Sequence, residues 1–276
     1  MSDSELFGAV PKGMPKNDIM KNDFGWEVPI ESIPLPSKGV VYSPDSTLYN
    51  RETLHVKAMT AHEEDILASQ AYIKEGTVLT ELIKSCVTDK TIDADDLING
   101  DRVALMVGIR ITGYGPEYKA SASCESCGKR NNITADLSAL PITRLNIKPI
   151  QDGQNEFEFE LPVTKKTVTF KFLTNNDDKE RATIAKNQSK ILNKKVDKNV
   201  TSFIEHSLLS VDGKTDRLKI RHFVMNMPAF DSRALRQYIS ENEPGIEMRW
   251  NFECVDCRAE NDTNLPITAE FFWPSK

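Results

Sequence analysis

Long hydrophobic runs are missing from this chain of 276 residues. No apolar stretch approaches the roughly 20 residues that a membrane-spanning helix needs. The opening stretch, MSDSELFGAVPKGMPKNDIM, is polar and interrupted by proline and glycine, whereas a secretory leader has a charged start followed by an apolar core. We therefore expect a cytosolic protein with no membrane partner, in a compartment that keeps thiols reduced.

Histidine is scarce, and the common catalytic patterns are absent. The four histidines stand at positions 55, 62, 206 and 222, and His62 begins the stretch HEED, which lacks the second histidine of the zinc-hydrolase pattern His-Glu-x-x-His. The sequence has no Gly-rich phosphate loop, no Gly-x-Ser-x-Gly turn and no His-x-Glu ahead of a Cys-x-x-Cys pair. These absences predict a protein that is not an enzyme.

A net positive charge is missing as well. The formal net charge is −6 at pH 7, which argues against a general nucleic-acid binder because phosphate contacts need a clustered cationic surface. Residues 177–222 nevertheless contain more lysine and arginine than aspartate and glutamate. A solvated helical surface is the simpler explanation, but this stretch keeps a zinc-ribbon nucleic-acid-binding protein as the alternative function.

Cysteine is also scarce, yet four of the five cysteines form two matching pairs. Cys124 and Cys127 make one Cys-x-x-Cys motif, and Cys254 and Cys257 make another. Each pair is followed by polar turn residues and then by alternating apolar positions, as in a strand. Four thiolates at this local spacing are typical of tetrahedral zinc, although the gap between the pairs is far longer than the roughly 15–20 residues of a compact zinc module.

We therefore predict one Zn(Cys)4 site in which zinc is a structural cofactor, because four thiolates leave no open position for a reacting water. Two unrelated surface pairs, or disulfides, are the alternative, and iron is a second metal that a four-thiolate site accepts. The fifth cysteine, Cys86, follows the apolar pattern of a helix and is expected to lie in the core.

The periodicity of apolar residues predicts an α+β protein. Residues 1–30 are expected to form a flexible N-terminal arm, and residues 31–116 a strand pair with a helical part. Residues 117–175 and 245–276 are expected to form a four-cysteine zinc ribbon, split by a β-hairpin and by a helical insertion at residues 176–244. So long a split is compatible with one site, because loop-closure entropy grows only with the logarithm of loop length.

Two predictions concern the N-terminal part. The short apolar stretch at residues 40–42 is expected to form a strand pair with the alternating stretch around Val56. The proline-rich segment before it, with Trp26, Ile30, Ile33 and Leu35, is expected to be extended and available to fold onto a partner.

Two further predictions concern the helical part. Thr60 and Glu63 form a capping box, which predicts that a helix begins here. Arg110 lies within an apolar helical stretch, so we expect it to have an internal partner such as Asp101 or Glu117 rather than an external anion.

Several stretches from Leu35 onward are similar in order and spacing to one family, the T-even-type tailed-phage baseplate hub assembly proteins. These stretches are LPSKGVVY, MTAHEEDIL, DRVALMVGIRITGYGPEY, CESCG, FELPVTKKTVTFKFLT and ITAEFFWP. The resemblance covers most of the chain but not residues 1–30, and none of its motifs is a catalytic fingerprint.

The resemblance implies a role in building the baseplate of a contractile phage tail, as a hub assembly chaperone or minor baseplate subunit that acts by protein–protein binding. It implies other baseplate hub and tail proteins as partners. It also implies a location in the host cytoplasm during assembly, or in the finished virion. Residue by residue, it supports only Cys124, Cys127, Cys254 and Cys257, as metal ligands.

Overall fold

The computed structural model describes residues 19–21, 27–192 and 199–273, and they form an α+β fold as predicted. The helices of this part are α1 (Ala61–Ala68), α2 (Gln70–Glu75), α3 (Val78–Cys86), α4 (Asn99–Tyr114), α5 (Asn175–Leu192), α6 (Asn199–Ser207), α7 (Arg217–Asn226) and α8 (Ala229–Asn242). The strands are β1 (Ile19–Lys21), β2 (Glu27–Pro34), β3 (Thr53–Lys57), β4 (Glu117–Ser123), β5 (Arg130–Asp136), β6 (Ile142–Thr143), β7 (Phe157–Glu160), β8 (Thr167–Phe170), β9 (Leu208–Val211), β10 (Gly245–Ile246), β11 (Arg249–Glu253) and β12 (Glu260–Asn264).

The strands form small separate sheets rather than one large sheet. Strands β1-β2-β3 and β7-β8-β9 form three-stranded sheets, while β4-β5, β6-β10 and β11-β12 are two-stranded. Every pairing between these strands is antiparallel. The hairpins β4-β5 and β11-β12, which carry the cysteine pairs, are therefore joined to each other by side chains and turns rather than by strand pairing.

A strand pair forms near the N-terminus, but only one of its two strands is the one that was predicted. β3 pairs with β2, and residues 40–42 lie in turns instead. The cause is local, because Lys38 (φ 54°) and Gly39 (φ 73°) have left-handed backbone conformations that interrupt a strand. Any larger residue at position 39 would also clash with the backbone, since a Cβ there would lie 2.4 Å from the Arg51 backbone nitrogen.

Part of the predicted flexible arm is strand, because the boundary expected at residue 30 falls inside β2. Ile33 and Leu35, which we expected to be available to a partner, are 1% and 0% exposed. The reason is that β2 packs on α4, where the Ile33 side chain lies over Gly108. Trp26 lies outside the described residues.

The helix start predicted at Thr60 is confirmed. The Glu63 carboxylate accepts hydrogen bonds from the Thr60 backbone N–H (2.8 Å) and hydroxyl (2.6 Å), and it also accepts from Lys57 and Ser85. Burial would raise the pKa of Glu63, but these hydrogen bonds outweigh burial and lower the pKa from 4.5 to about 2. One ionised carboxylate therefore joins β3, α1 and α3.

Helix α4 lies at the centre of the fold, in contact with α3, β2, β3 and β10. Two of its glycines allow close approach. A Cβ at Gly108 would lie 2.6 Å from the Ile33 side chain, and a Cβ at Gly100 would lie 1.6 Å from the Pro244 carbonyl oxygen. The second contact places the end of the segment between the cysteine pairs directly against the first turn of α4.

Arg110 of α4 has internal partners as predicted, but they are not carboxylates. Its guanidinium donates to the backbone carbonyls of Gly115 (2.8 Å), Glu117 (3.0 Å) and Phe271 (3.1 Å). Asp101 instead accepts hydrogen bonds from the turns at residues 37–42. Arg110 therefore ties the C-terminal segment to α4 and to the start of the first cysteine hairpin.

The hairpin predicted ahead of the helical insertion is confirmed. β7 and β8 pair with Phe157 opposite Phe170, and both rings are buried. β9 pairs with the other edge of β8, so the segment expected as a helical insertion, residues 176–244, also contains a strand at Leu208–Val211. The edge of a strand has unpaired backbone N–H and C=O groups. Another strand can form hydrogen bonds with these groups, whereas a helix cannot, because its own backbone groups are already paired.

We predict that Gly100→Ala destabilises the protein although alanine is the better helix former. The added methyl group meets the Pro244 carbonyl oxygen, which is backbone and cannot rotate away, so the free energy of unfolding should fall by about 1–3 kcal/mol. Gly113→Ala is the matched control, because its Cβ would meet only the end of the Met59 side chain, at 3.1 Å. Chemical denaturation measures both variants, and equal stability of the two would contradict the close contact.

We predict that Glu63→Gln lowers the free energy of unfolding at neutral pH by about 2 kcal/mol, because charge-assisted hydrogen bonds are lost. Since the pKa is lowered on folding, the contribution of this carboxylate is present above pH 4.5 and is lost as the pH falls toward 2. Urea denaturation over this range should show a steeper loss of stability for wild type than for the variant. The exposed Glu75→Gln is the control, and parallel profiles for wild type and Glu63→Gln would contradict the prediction.

Candidate metal centre

Two hairpins of the same design carry the cysteine pairs. Cys124 and Cys254 each donate their backbone N–H to the carbonyl five residues later, at 2.9 Å in both hairpins. Each turn closes through a residue with a left-handed conformation, Gly128 (φ 73°) in one and Arg258 (φ 60°) in the other. The two turns therefore present their cysteines in the same way, although only one of them uses glycine.

The structure brings all four predicted cysteines together. Their Sγ atoms lie within 4.8 Å of one another, with 3.6 Å between Cys124 and Cys257 and 3.7 Å between Cys127 and Cys254. A tetrahedral site with metal–sulfur bonds of about 2.3 Å has sulfur–sulfur edges of about 3.8 Å. The cluster thus fits a four-thiolate metal site: the two pairs meet instead of lying apart, and all four cysteines are free rather than disulfide-bonded in this structure.

Ionisation of the four thiols is unequal. The backbone N–H of Cys257 points at the Cys254 sulfur and lowers the pKa of Cys254 from 9.0 to about 6, and the N–H of Cys127 lowers the pKa of Cys124 in the same way. The backbone hydrogen bond with Ala259 would lower the pKa of Cys257, but burial and the neighbouring cysteine sulfurs together outweigh it and raise the pKa to about 12. A cation bound among the four would favour the thiolate form of all of them.

Two buried asparagines join the cysteine hairpins to each other. Asn131 Oδ1 accepts from the Val255 backbone N–H (3.0 Å), and Asn261 Oδ1 accepts from the Glu125 backbone N–H (2.9 Å). The two bonds run in opposite directions, so the pair of hairpins has approximate twofold symmetry. Asn131 breaks this symmetry by also donating from Nδ2 to the Cys254 Sγ, at 3.5 Å.

These asparagines are site residues that the sequence patterns did not single out. Each stands seven residues after the first cysteine of its pair, and this shared offset is the signal that could have identified them. Lys129 and Asp256 add an ion pair between the two turns, with 2.6 Å between Nζ and Oδ1. Both of these side chains are largely exposed, so the ion pair contributes little compared with the buried amides.

Other titratable groups do not form a second centre of this kind among the described residues. In that part of the chain, three or more histidine, cysteine or acidic side chains lie close enough together to bind one metal ion only at the four cysteines. Cys86, predicted to be core, is 0% exposed, and burial raises its pKa to about 12. Within the same residues, every helix is too short or too polar to cross a bilayer.

The basic stretch at residues 177–222 is partly neutralised by the fold. The Lys179 Nζ lies 2.7 Å from Asp95 Oδ1, and the Arg181 Nη1 lies 2.6 Å from Asp178 Oδ1. Lys179 joins α5 to the segment before α4, and Arg181 forms an ion pair within α5, so fewer of the cations in this stretch are available to phosphate groups than the sequence alone indicates.

The chain matches the family described as T4 bacteriophage base plate protein over residues 35–273, a range that includes both cysteine hairpins. The match covers most of the chain, so the protein belongs to this family of phage baseplate proteins. The family expected from the sequence is thereby confirmed. No curated protein and no solved structure matches the chain.

We predict that Asn131→Ala speeds hydrogen exchange at the Val255 amide about tenfold, the factor that corresponds to the loss of about 1.4 kcal/mol. Asn261→Ala is the matched control, since it should act on the Glu125 amide and leave Val255 nearly unchanged. Residue-resolved exchange by nuclear magnetic resonance measures both. An equal effect of either variant on both amides would show that the two bonds are not separate contacts.

Proposed function

We propose that this baseplate protein is a hub assembly protein, either an assembly chaperone or a minor subunit, which acts by binding other hub and tail proteins. Membership of the baseplate family is the observation that carries the proposal. The protein would act in the host cytoplasm during assembly, or as part of the tail of the virion. No catalytic step is assigned to it.

A structural zinc ion bound by Cys124, Cys127, Cys254 and Cys257 is part of the proposal. The sulfur–sulfur distances fit tetrahedral coordination by four thiolates. With all four positions taken by protein, the metal would have no place for a substrate or a reactive water. Its role would be to stabilise the fold, with an apparent binding free energy of about 10–16 kcal/mol in comparable small sites.

Such a metal would stabilise the fold over a long range. Cys127 and Cys254 are 127 positions apart in the sequence, and the chain between them includes the β7-β8-β9 sheet and helices α5–α8. Fixing both ends of this segment would give partner proteins one rigid surface instead of a tethered insert. The same ends are also held by Arg110 and by the close contact at Gly100.

We predict that the purified wild-type chain carries one zinc ion per molecule and that Cys254→Ser loses it. Native mass spectrometry, compared with the denatured mass, measures the metal content. Cys86→Ala is the matched control, because Cys86 is buried away from the cluster and its loss should leave the metal in place. A wild-type chain without metal, or a Cys254→Ser variant that keeps it, would contradict the proposed site.

Co-production with the other baseplate proteins of the same phage tests the binding role. The chain should co-purify with a defined hub or tail protein in a complex that survives size-exclusion chromatography at moderate salt. Nucleic-acid binding that weakens steeply as salt rises would instead favour the zinc-ribbon nucleic-acid-binding alternative. A chain that binds no baseplate protein would contradict the proposal.

A further inference from the structure

Each cysteine hairpin supplies hydrogen-bond donors to its own sulfurs in the same pattern. Two backbone N–H groups point at the first sulfur of each hairpin, that of Cys124 or Cys254. One backbone N–H group points at the second sulfur, that of Cys127 or Cys257. These local donors follow from the shared shape of the two turns, so they treat the two halves of the cluster alike.

A further donor crosses from the first cysteine hairpin to a sulfur of the second. The Nδ2 atom of Asn131, on β5, lies 3.5 Å from the Cys254 Sγ. Asn131 is 4% exposed and Cys254 is 0% exposed, so water does not compete strongly for this hydrogen bond. Because donor and sulfur belong to different hairpins, the bond exists only while the two hairpins are in contact.

Asn261 has the equivalent place in the second hairpin but makes no bond of this kind. Both amides accept from a backbone N–H of the opposite hairpin, at 3.0 Å between Val255 and Asn131 and at 2.9 Å between Glu125 and Asn261. Both also donate from Nδ2 to the backbone carbonyl two residues earlier. In the part of the chain that the structure describes, only the amide of Asn131 donates to a cysteine sulfur as well. The bond to sulfur is therefore the difference between two otherwise matched amides.

We propose that Asn131 is a positioning residue of the metal centre, which holds the Cys254 thiolate toward the ion from the opposite hairpin. Four thiolates carry more negative charge than a divalent ion neutralises, and a buried amide donor offsets part of the excess. The same bond fixes the direction of the sulfur, as groups that hydrogen-bond to metal ligands do in other sites. The inference rests on the proposed zinc site and adds one residue to it.

A role limited to joining the hairpins would make Asn131 equivalent to Asn261. Each amide provides one hydrogen bond between the hairpins, so removing either one should loosen their contact to a similar extent. The added bond to Cys254 predicts a second effect, a weaker hold on the metal, for Asn131 alone. Loss of a group that hydrogen-bonds to a metal ligand typically lowers metal affinity about 10–100-fold.

Competition for zinc against a chromophoric chelator, on the full chain, tests this inference. Asn131→Ala should bind zinc about tenfold more weakly than the matched control Asn261→Ala. Asn131→Asp and Asn261→Asp form a second matched pair, which keeps the oxygen that accepts from the opposite hairpin and so decides the result if an alanine variant fails to fold. The aspartate at position 131 cannot donate to the Cys254 sulfur, so the same order of affinities is expected.

Cobalt(II) in place of zinc gives a readout that looser packing of the hairpins alone would not move. The sulfur-to-cobalt charge-transfer absorption should shift to longer wavelength in Asn131→Ala, because a sulfur that loses a hydrogen bond gives up its electrons more easily. It should keep its wild-type position in Asn261→Ala. Equal zinc affinities within either pair of variants, or an unshifted absorption in Asn131→Ala, would overturn the inference. A wild-type chain that binds neither zinc nor cobalt would overturn the proposed metal site, and this inference with it.

Discussion

The contact between the two cysteine hairpins is the constraint on which the rest of the structure depends. This contact brings together Cys127 and Cys254, which are 127 positions apart in the sequence. It therefore fixes both ends of the chain segment that lies between the two cysteine pairs. Two reciprocal hydrogen bonds, which the Oδ1 atoms of Asn131 and Asn261 accept from the backbone of the opposite hairpin, hold the hairpins together. Asn131 and Asn261 are only 4% and 9% exposed, so separating the hairpins would replace both of these hydrogen bonds with hydrogen bonds to water.

Helix α4 supports the same arrangement from the inside of the protein. Its first turn lies against Pro244, just before the second hairpin, and near its end Arg110 reaches the carbonyl of Phe271, after that hairpin. The two ends of the split ribbon are therefore fixed by packing and hydrogen bonds as well as by the cysteine cluster.

The parts of the structure that local patterns encode could be predicted. The two Cys-x-x-Cys motifs identified the four cysteines that meet, the capping box at Thr60 identified the start of α1, and alternation identified the β7-β8 hairpin. Features that depend on tertiary neighbours could not. Leu208–Val211 directly follows a helix and pairs with the edge of β8, a neighbour that the local pattern does not reveal. Asn131 and Asn261 look like ordinary turn residues until the hairpins face each other.

X-ray absorption at the edge of the bound metal, on the purified full-length chain, tests the central claim most directly. We expect a shell of four sulfur atoms at about 2.3 Å around zinc, because in the proposed site each hairpin contributes two thiolates to one ion. A shell with only two sulfurs, completed by nitrogen or oxygen, would mean that each hairpin binds separately. That result would contradict the closure of the split ribbon through one metal.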